Sequence, residues 1–469
     1  MQTDVIRAGP TPGLRLDPLL LRRYDRPGPR YTSYPTAAEF RPGFGPAAYA
    51  AAVQRYAQSK RPLSLYFHLP FCAHVCYYCA CTRIVTANRA RATPYVAHLS
   101  REIELQARLA GPDRIIEQLH WGGGTPTFLS DIEMRALMSA TRSWFRLRDD
   151  DCGEYGIEVD PRALRPNTLS LLRELGFNRL SVGVQDLDPE VQRAINRIQP
   201  YEQNRDTVES ARALGYRSVS VDLIYGLPRQ STTSFANTLD GVIALAPDRL
   251  SVFSYAHLPG RFKSQRHINA NELPKPGEKL ALLELAIERL THAGYVYIGM
   301  DHFARPDDDL AVAQRNGTLT RNFQGYSTHG DCDLIGMGMS AISFVGDSYA
   351  QNEKTLNAWQ AALEAGQLPI ARGMTMSNDD RIRHEIIMQL ICHFSLTIRA
   401  VERVYGIHFD DYFAKELDDL RIMELDGLLA LSDGILRVLP AGRLLIRNIC
   451  MVFDRYRRES AQSGFSRTI

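Results

Sequence analysis

From Leu63 onward the chain alternates short apolar runs with longer segments in which apolar residues recur every three or four positions. The runs SLYFHL, EQLHWG, GIEVD, RLSVGV, SVDLIYG and LSVFSY are rich in β-branched and aromatic residues and predict strands, with YVYIGM as a further candidate. Between them lie helical patterns such as TPYVAHLSREIELQARLA, where Val96, Leu99, Ile103 and Ala107 fall on one face. Strands separated by helices predict parallel strands joined by right-handed crossovers. Six such units make the expected fold class α/β, a partial (β/α)6 barrel of the TIM type. Upstream, the Pro-, Gly- and Arg-rich DRPGPRYTSYPTA and the Ala-rich AAYAAAVQRYAQ predict a loose arm followed by a helix over residues 1–61. The barrel and its extension are expected over 62–347. A mainly helical C-terminal domain is expected over 348–469, from patterns such as RIRHEIIMQLICHF, DDYFAKELDDLRIMEL and GRLLIRNICMVFDRYRRES.

Composition narrows the function. A chain of 469 residues with 45% hydrophobic content can bury one large core and a smaller one. A formal net charge of +2 gives no basic excess for nucleic acid or an anionic membrane, so neither is expected as a partner. No charge-free apolar stretch of about 18 residues occurs, and the opening MQTDVIRAGPTPGLRLDP lacks the pattern of a signal peptide, so a cytoplasmic protein is expected. Of eight cysteines, four crowd into Cys72–Cys81 while Cys152, Cys332, Cys392 and Cys450 lie far apart, which fits a metal site in a reducing compartment better than a disulfide framework.

That crowd reads FCAHVCYYCAC, with Cys72, Cys76 and Cys79 spaced C-x3-C-x2-C just after the first strand. Thiolates are the usual ligands of iron-sulfur clusters, and three from one loop leave one iron of a cubane open for chemistry. Structural zinc is the alternative: Cys81 or His74 would have to close the site, and the sequence has no second knuckle of the kind that zinc sites usually pair. Other polar residues fall at predicted strand ends, where a barrel places its site. After the second strand comes Gly122-Gly123-Gly124-Thr125, a backbone open to close approach. Glu158 ends the third strand, Gln185 the fourth, Asp222 lies on the fifth and Ala256 follows the sixth.

On these residues the chain resembles the oxygen-independent coproporphyrinogen III oxidases, the HemN family of radical S-adenosylmethionine (SAM) enzymes. YFHLPFCAHVCYYCAC is similar to that family's cluster loop, and HWGGGTPT, IEVDPR, GFNRLSVGVQD, VDLIYGLP, DRLSVFSYAHLP, RNFQGYSTHGD and GMGMSAIS extend the match from RYDRPGPRYTSYPT to FSRTI. The resemblance implies a 4Fe-4S cluster on Cys72, Cys76 and Cys79, with SAM chelating the open iron. It further implies contacts to that SAM from Tyr66, Tyr78, Gly123, Glu158 and Ile342. A second SAM would meet Gly124, Thr125, Gln185, Arg197, Asp222 and Ala256. Cys81 matches the family's fourth cysteine without being implied as a ligand.

The implied reaction takes a hydrogen from the β carbon of the propionates on rings A and B of coproporphyrinogen III and releases carbon dioxide, leaving vinyl groups and protoporphyrinogen IX. The cofactor supplies the abstractor and the protein supplies aim and shelter. Four carboxylates call for forked arginine donors, for which Arg26, Arg30, Arg305 and Arg321 are candidates, with Tyr66 and Gln324 as substrate-side catalytic groups. An electron donor such as a flavodoxin and reductase system, and a monomeric state, are also implied. The related heme chaperones share the three cysteines but carry an aromatic residue where Cys81 stands, and a heme-opening SAM methyltransferase ranks below them.

Overall fold

The computed structural model describes residues 18–57, 59–111, 113–459 and 467. Its spine is a thirteen-stranded sheet. In chain order the strands that concern the site are β1 (Leu63–Leu69), β2 (Ile115–Gly123), β3 (Glu154–Val159), β4 (Arg179–Gln185), β5 (Ser218–Tyr225) and β6 (Arg249–Ser254). There follow β7 (Val296–Gly299), β8 (His302–Ala304), β9 (Asp333–Met337), β10 (Ile342–Val345), β11 (Ser348–Asn352) and β12 (Ile370–Thr375). They lie side by side in the order β7-β8-β6-β5-β4-β3-β2-β1-β9-β10-β11-β12.

The stretch from β9 through β1 to β6 is parallel throughout. It therefore holds seven parallel strands, one more than the six units expected. The extra strand, β9, is short, and its partner β1 is far away in sequence, so no local pattern announces it. Its first residue, Asp333, is 1% exposed and paired with Arg114, an ionic anchor at the sheet's lower end. YVYIGM forms β7, antiparallel at the far edge through β8. The central strands are buried on both faces, as covered parallel strands should be.

The helices between the strands cover the outside. In Ala92–Ala110 the face of Val96, Leu99, Ile103 and Ala107 is buried, and the helix stops at Gly111, whose φ of 87° suits a residue without Cβ. Asp131–Trp144 starts from a reciprocal capping box between Ser130 and Glu133.

The sequence boundary at 347 falls inside the β10–β11 hairpin, and the sheet runs on to Thr375. Helices follow from Asn378, together with a three-stranded sheet of Ser395–Thr397, Leu429–Ser432 and Ile435–Val438. The arm is not loose in its described part. Tyr31 and Tyr34 are buried, Tyr31 donates to Asp454 at 2.9 Å, and Arg447 donates to the Pro29 carbonyl at 2.9 Å. Buried hydroxyls and carbonyls need such partners, and the C-terminal helices supply them. Among the described residues no helix is long and apolar enough to cross a membrane.

Candidate active site

The cysteine loop leaves β1 through Pro70 and is closed at its base by a small parallel ladder, Phe71–Cys72 against Ile84–Val85. Within it, Arg83 gathers the chain from inside, donating to the Cys79 carbonyl at 2.9 Å and the Cys76 carbonyl at 3.4 Å. The loop docks on the barrel through Asn196, which donates to the Val75 carbonyl at 2.7 Å, and through the Tyr77 amide, which donates to the Ile195 carbonyl at 3.0 Å.

Cys72, Cys76 and Cys79 then face one cavity of about 760 Å3 at the C-terminal mouth of the barrel. Donors are aimed at all three sulfurs. Thr125 donates to Cys72 Sγ at 3.5 Å, Arg162 to Cys76 Sγ at 3.3 Å, Arg197 to Cys76 Sγ at 3.6 Å, and the Cys81 amide to Cys79 Sγ at 3.5 Å. Such donors suit thiolates bound to metal. Burial pushes the Cys72 thiol up to about 11, whereas the Cys81 thiol's hydrogen bond helps draw Cys79 down to about 6. A bound cation displaces both protons. Cys81 itself is exposed, which separates it from its three neighbours. The donor set thus fits a cluster that three thiolates would hold.

The three glycines explain how the loop can sit so close. A Cβ on Gly122 would lie 2.7 Å from Glu158 Oε1, one on Gly123 would lie 2.6 Å from the His68 ring, and one on Gly124 would lie 2.6 Å from the Pro70 carbonyl. The sequence suggested close approach by a ligand; the first need for these glycines is close approach by the protein's own carboxylate and cluster loop. Gly124→Ala is accordingly expected to push the loop outward and lower the iron and sulfide bound per chain after reconstitution, while circular dichroism stays that of the folded barrel. A variant with full cluster content would contradict this.

Polar groups ring the same mouth. Gly123, Gly124, Thr125, Glu158, Gln185, Arg197, Asp222, Ala256 and Tyr78 all line the cavity. Glu158 accepts from the Gly123 amide at 3.2 Å and from His120 at 3.4 Å. Burial opposes its charge, but these bonds and the His120 charge outweigh burial and hold it below the ordinary carboxylate range. Asp222 is pushed up to about 6, first by burial and then by the Glu158 charge, against hydrogen bonds from Ser181 and Ser251. Gln185 has a φ of 72°, a left-handed conformation that a side chain of its kind seldom adopts and that the β4 irregularity before it enforces. Arg197 is 5% exposed and held by the Gly183 carbonyl at 2.6 Å and by Asp160 at 3.0 Å.

Three expected residues stand outside these walls. Tyr66 lies on β1 beneath the cysteine loop, its hydroxyl 3.1 Å from His68 Nδ1 and its ring stacked on His120. Ile342 opens β10, and its backbone fills the space beside Gly336, the β9 partner of Tyr66. Gln324 borders a deeper chamber of about 200 Å3 inside the barrel, which Glu158 and Asp222 also line. Of the arginine candidates, Arg30 alone reaches the cavity. Arg305 lies at the opposite end of the barrel, its amide bonded to the Asp248 carbonyl just before β6, and Arg26 is on a surface groove with Asp419, so neither can meet a ligand at the mouth. Arg321 is buried over the Tyr326 ring and borders a separate cavity.

Sequence reasoning missed Asp160 and Arg162, which with Arg197 form one charged unit around Cys76: Arg162 pairs with Asp160 at 2.7 Å. Their position in IEVDPR, directly after Glu158, was the available signal. Arg83, two residues beyond Cys81, was the other.

Comparison with known proteins agrees with this geometry. The family model for the radical SAM superfamily matches residues 66–241, and that for the HemN C-terminal domain matches residues 376–445. The oxygen-independent coproporphyrinogen III oxidase of Pseudomonas aeruginosa is 55% identical over 456 residues, covering 97% of this chain and 99% of the relative. That of Escherichia coli is 50% identical over 455 residues, covering 97% of this chain and 98% of the relative. The solved E. coli coproporphyrinogen III oxidase, HemN, described as a radical SAM enzyme, superposes with a TM-score of 0.90 at 48% identity over 95% of this chain and 100% of its own. With the cysteine loop, the glycine turn and the C-terminal module all inside these matches, the chain belongs to the oxygen-independent coproporphyrinogen III oxidase family of radical SAM enzymes.

Proposed function

We propose that this chain oxidatively decarboxylates the propionates on rings A and B of coproporphyrinogen III, giving protoporphyrinogen IX in heme biosynthesis. The observation that carries this reading is the convergence of three thiols and a ring of polar strand ends on one cavity, within a chain of this family. When bound and reduced, the 4Fe-4S cluster supplies the electron that cleaves SAM and so provides the hydrogen abstractor.

The residues divide the remaining work. Cys72, Cys76 and Cys79 hold the cluster, with Arg162, Arg197 and Thr125 offsetting its charge. Glu158, held ionised below the ordinary carboxylate range, would accept hydrogen bonds from the first SAM, and Gly123 and Tyr78 would shape its seat, with Tyr66 and Ile342 supporting that seat from β1 and β10. Gly124, Thr125, Gln185, Arg197, Asp222 and Ala256 form the seat of a second SAM. Gln324 faces the substrate from below. The electron donor is a flavodoxin-type system, a proposal drawn from the family resemblance. The enzyme is read as a cytoplasmic monomer, a proposal drawn from the family resemblance.

Anaerobic turnover of the reconstituted protein with a reductant, SAM and coproporphyrinogen III should yield protoporphyrinogen IX and 5'-deoxyadenosine. SAM cleavage without loss of carbon dioxide, or tight heme binding in its place, would refute the reading. Asp222→Ala is expected to cut turnover by roughly tenfold or more, the worth of one charged hydrogen bond, with cluster absorbance unchanged.

A further inference from the structure

Behind Ala256 lies a second cavity of about 440 Å3, which shares Arg30 and Ala256 with the first among its walls. Three distant parts of the chain build it. The arm supplies Arg30, the helix Pro276–His292 supplies Lys279, and the C-terminal module supplies Arg447. Arg467 adds a fourth cation, and Asp301, which pairs with Arg30, is the one acidic residue among the described lining groups.

Arg467 is paired with Asp25 at 2.6 Å, as Arg30 is with Asp301, while Lys279 and Arg447 are positioned by bonds to carbonyls. Lys279 Nζ donates to Tyr255 at 3.0 Å. Arg447, 7% exposed, donates to Pro29 at 2.9 Å, to Gly28 and to Arg467 at 3.1 Å, and so clamps the arm beside Arg30. Carbonyls position a cation without balancing its charge. Burial, then the charges of Arg447 and Arg321, pulls Arg30 down to about 9, and burial pulls Lys279 below its ordinary value against the attraction of Asp25. Four cations against Asp301 and Asp25 leave a surplus of positive charge beside the reaction cavity, which suits an anion.

We infer that this chamber is a carboxylate subsite, in which Arg30, Lys279 and Arg447 hold propionates of the macrocycle that are not at the reacting position and so fix which ring faces the cluster. The inference rests on the coproporphyrinogen reading of the first cavity. The carboxylate of SAM is the other source of the same chemistry, and the test separates the two.

Binding of coproporphyrin III, the redox-stable tetracarboxylate, and of a dicarboxylate porphyrin is measured by fluorescence on the reconstituted protein, with SAM affinity measured alongside. Lys279→Met is expected to weaken coproporphyrin III by about tenfold and the dicarboxylate by much less. Lys279→Arg should restore binding to within about twofold of the wild type, and SAM affinity should stay unchanged in both variants. Lys279→Met protein that binds coproporphyrin III as tightly as the wild type, or that loses SAM instead, would overturn the subsite. Wild-type protein that neither binds coproporphyrin III nor converts coproporphyrinogen III would overturn the substrate reading on which it rests.

Discussion

Cys76→Ala protein should emerge from reconstitution without the brown colour of the cluster, with iron and sulfide reduced and SAM cleavage below detection. Cys76 is the thiol with the most invested around it. Its sulfur accepts from both Arg162 and Arg197, and Asp160 ties those two guanidinium groups together. Removing the thiol takes away one of three metal ligands and the sulfur that both guanidinium groups face. The contrasting variant is Cys81→Ala. Cys81 is exposed, and although the substitution removes its thiol's hydrogen bond to Cys79, its amide still donates to Cys79 Sγ at 3.5 Å. That variant should keep its cluster. Iron and sulfide analysis of the two side by side checks the assignment, and a Cys76→Ala protein with full cluster and turnover would refute it.

Glu102→Ala should destabilise the fold by about 3 kcal/mol or more, the largest effect expected of any residue outside the mouth. Glu102 is fully buried in the helix Ala92–Ala110 and accepts three hydrogen bonds: from Asn352 at 2.6 Å, from the Trp359 indole at 2.9 Å and from the Gly338 amide at 2.9 Å. It therefore joins the helix after β1 to the end of β9 and to β11, on the side of the sheet that supports the cysteine loop. Truncation strands three donors without water. Burial also pushes the Glu102 carboxyl up to about 7, above its ordinary 4.5. The folded chain consequently binds the proton more tightly than the unfolded one, and this group's contribution, full below about pH 4.5, is lost as pH rises towards 7. Glu102→Gln should flatten that part of the stability profile while retaining more of the hydrogen bonding than Ala. Thermal unfolding of the three proteins across pH 5 to 8 tests both statements; equal midpoints for wild type and Glu102→Ala would contradict the first.

How far the sequence reveals this molecule depends on the range of the interactions involved. Strands β1 to β6 are legible because burial on both faces writes itself as continuous apolar text, and the helix Ala92–Ala110 because one face repeats every turn. β9 is not legible, since nothing within five residues of DLIGM says that it will lie beside β1. The cluster loop is visible from spacing alone, and the strand-end ring from polar residues where apolar ones are expected. The arginines were the hardest to read. Arg305 and Arg30 look alike in sequence, yet β8 runs antiparallel and carries Arg305 to the wrong end of the barrel, while the clamp of Arg447 on the arm sets Arg30 at the right one. The role of Gly122, Gly123 and Gly124 was legible as close approach, but only the packed structure identifies Glu158, His68 and Pro70 as the groups approaching.

The central claim is that the cysteine loop and the strand-end ring aim a hydrogen abstraction at a propionate. It is tested most directly by turning over coproporphyrinogen III deuterated at the propionate β carbons and analysing the 5'-deoxyadenosine by mass spectrometry. The account predicts one deuterium in the 5'-deoxyadenosine formed with each new vinyl group. Vinyl formation that leaves the 5'-deoxyadenosine unlabelled would contradict it.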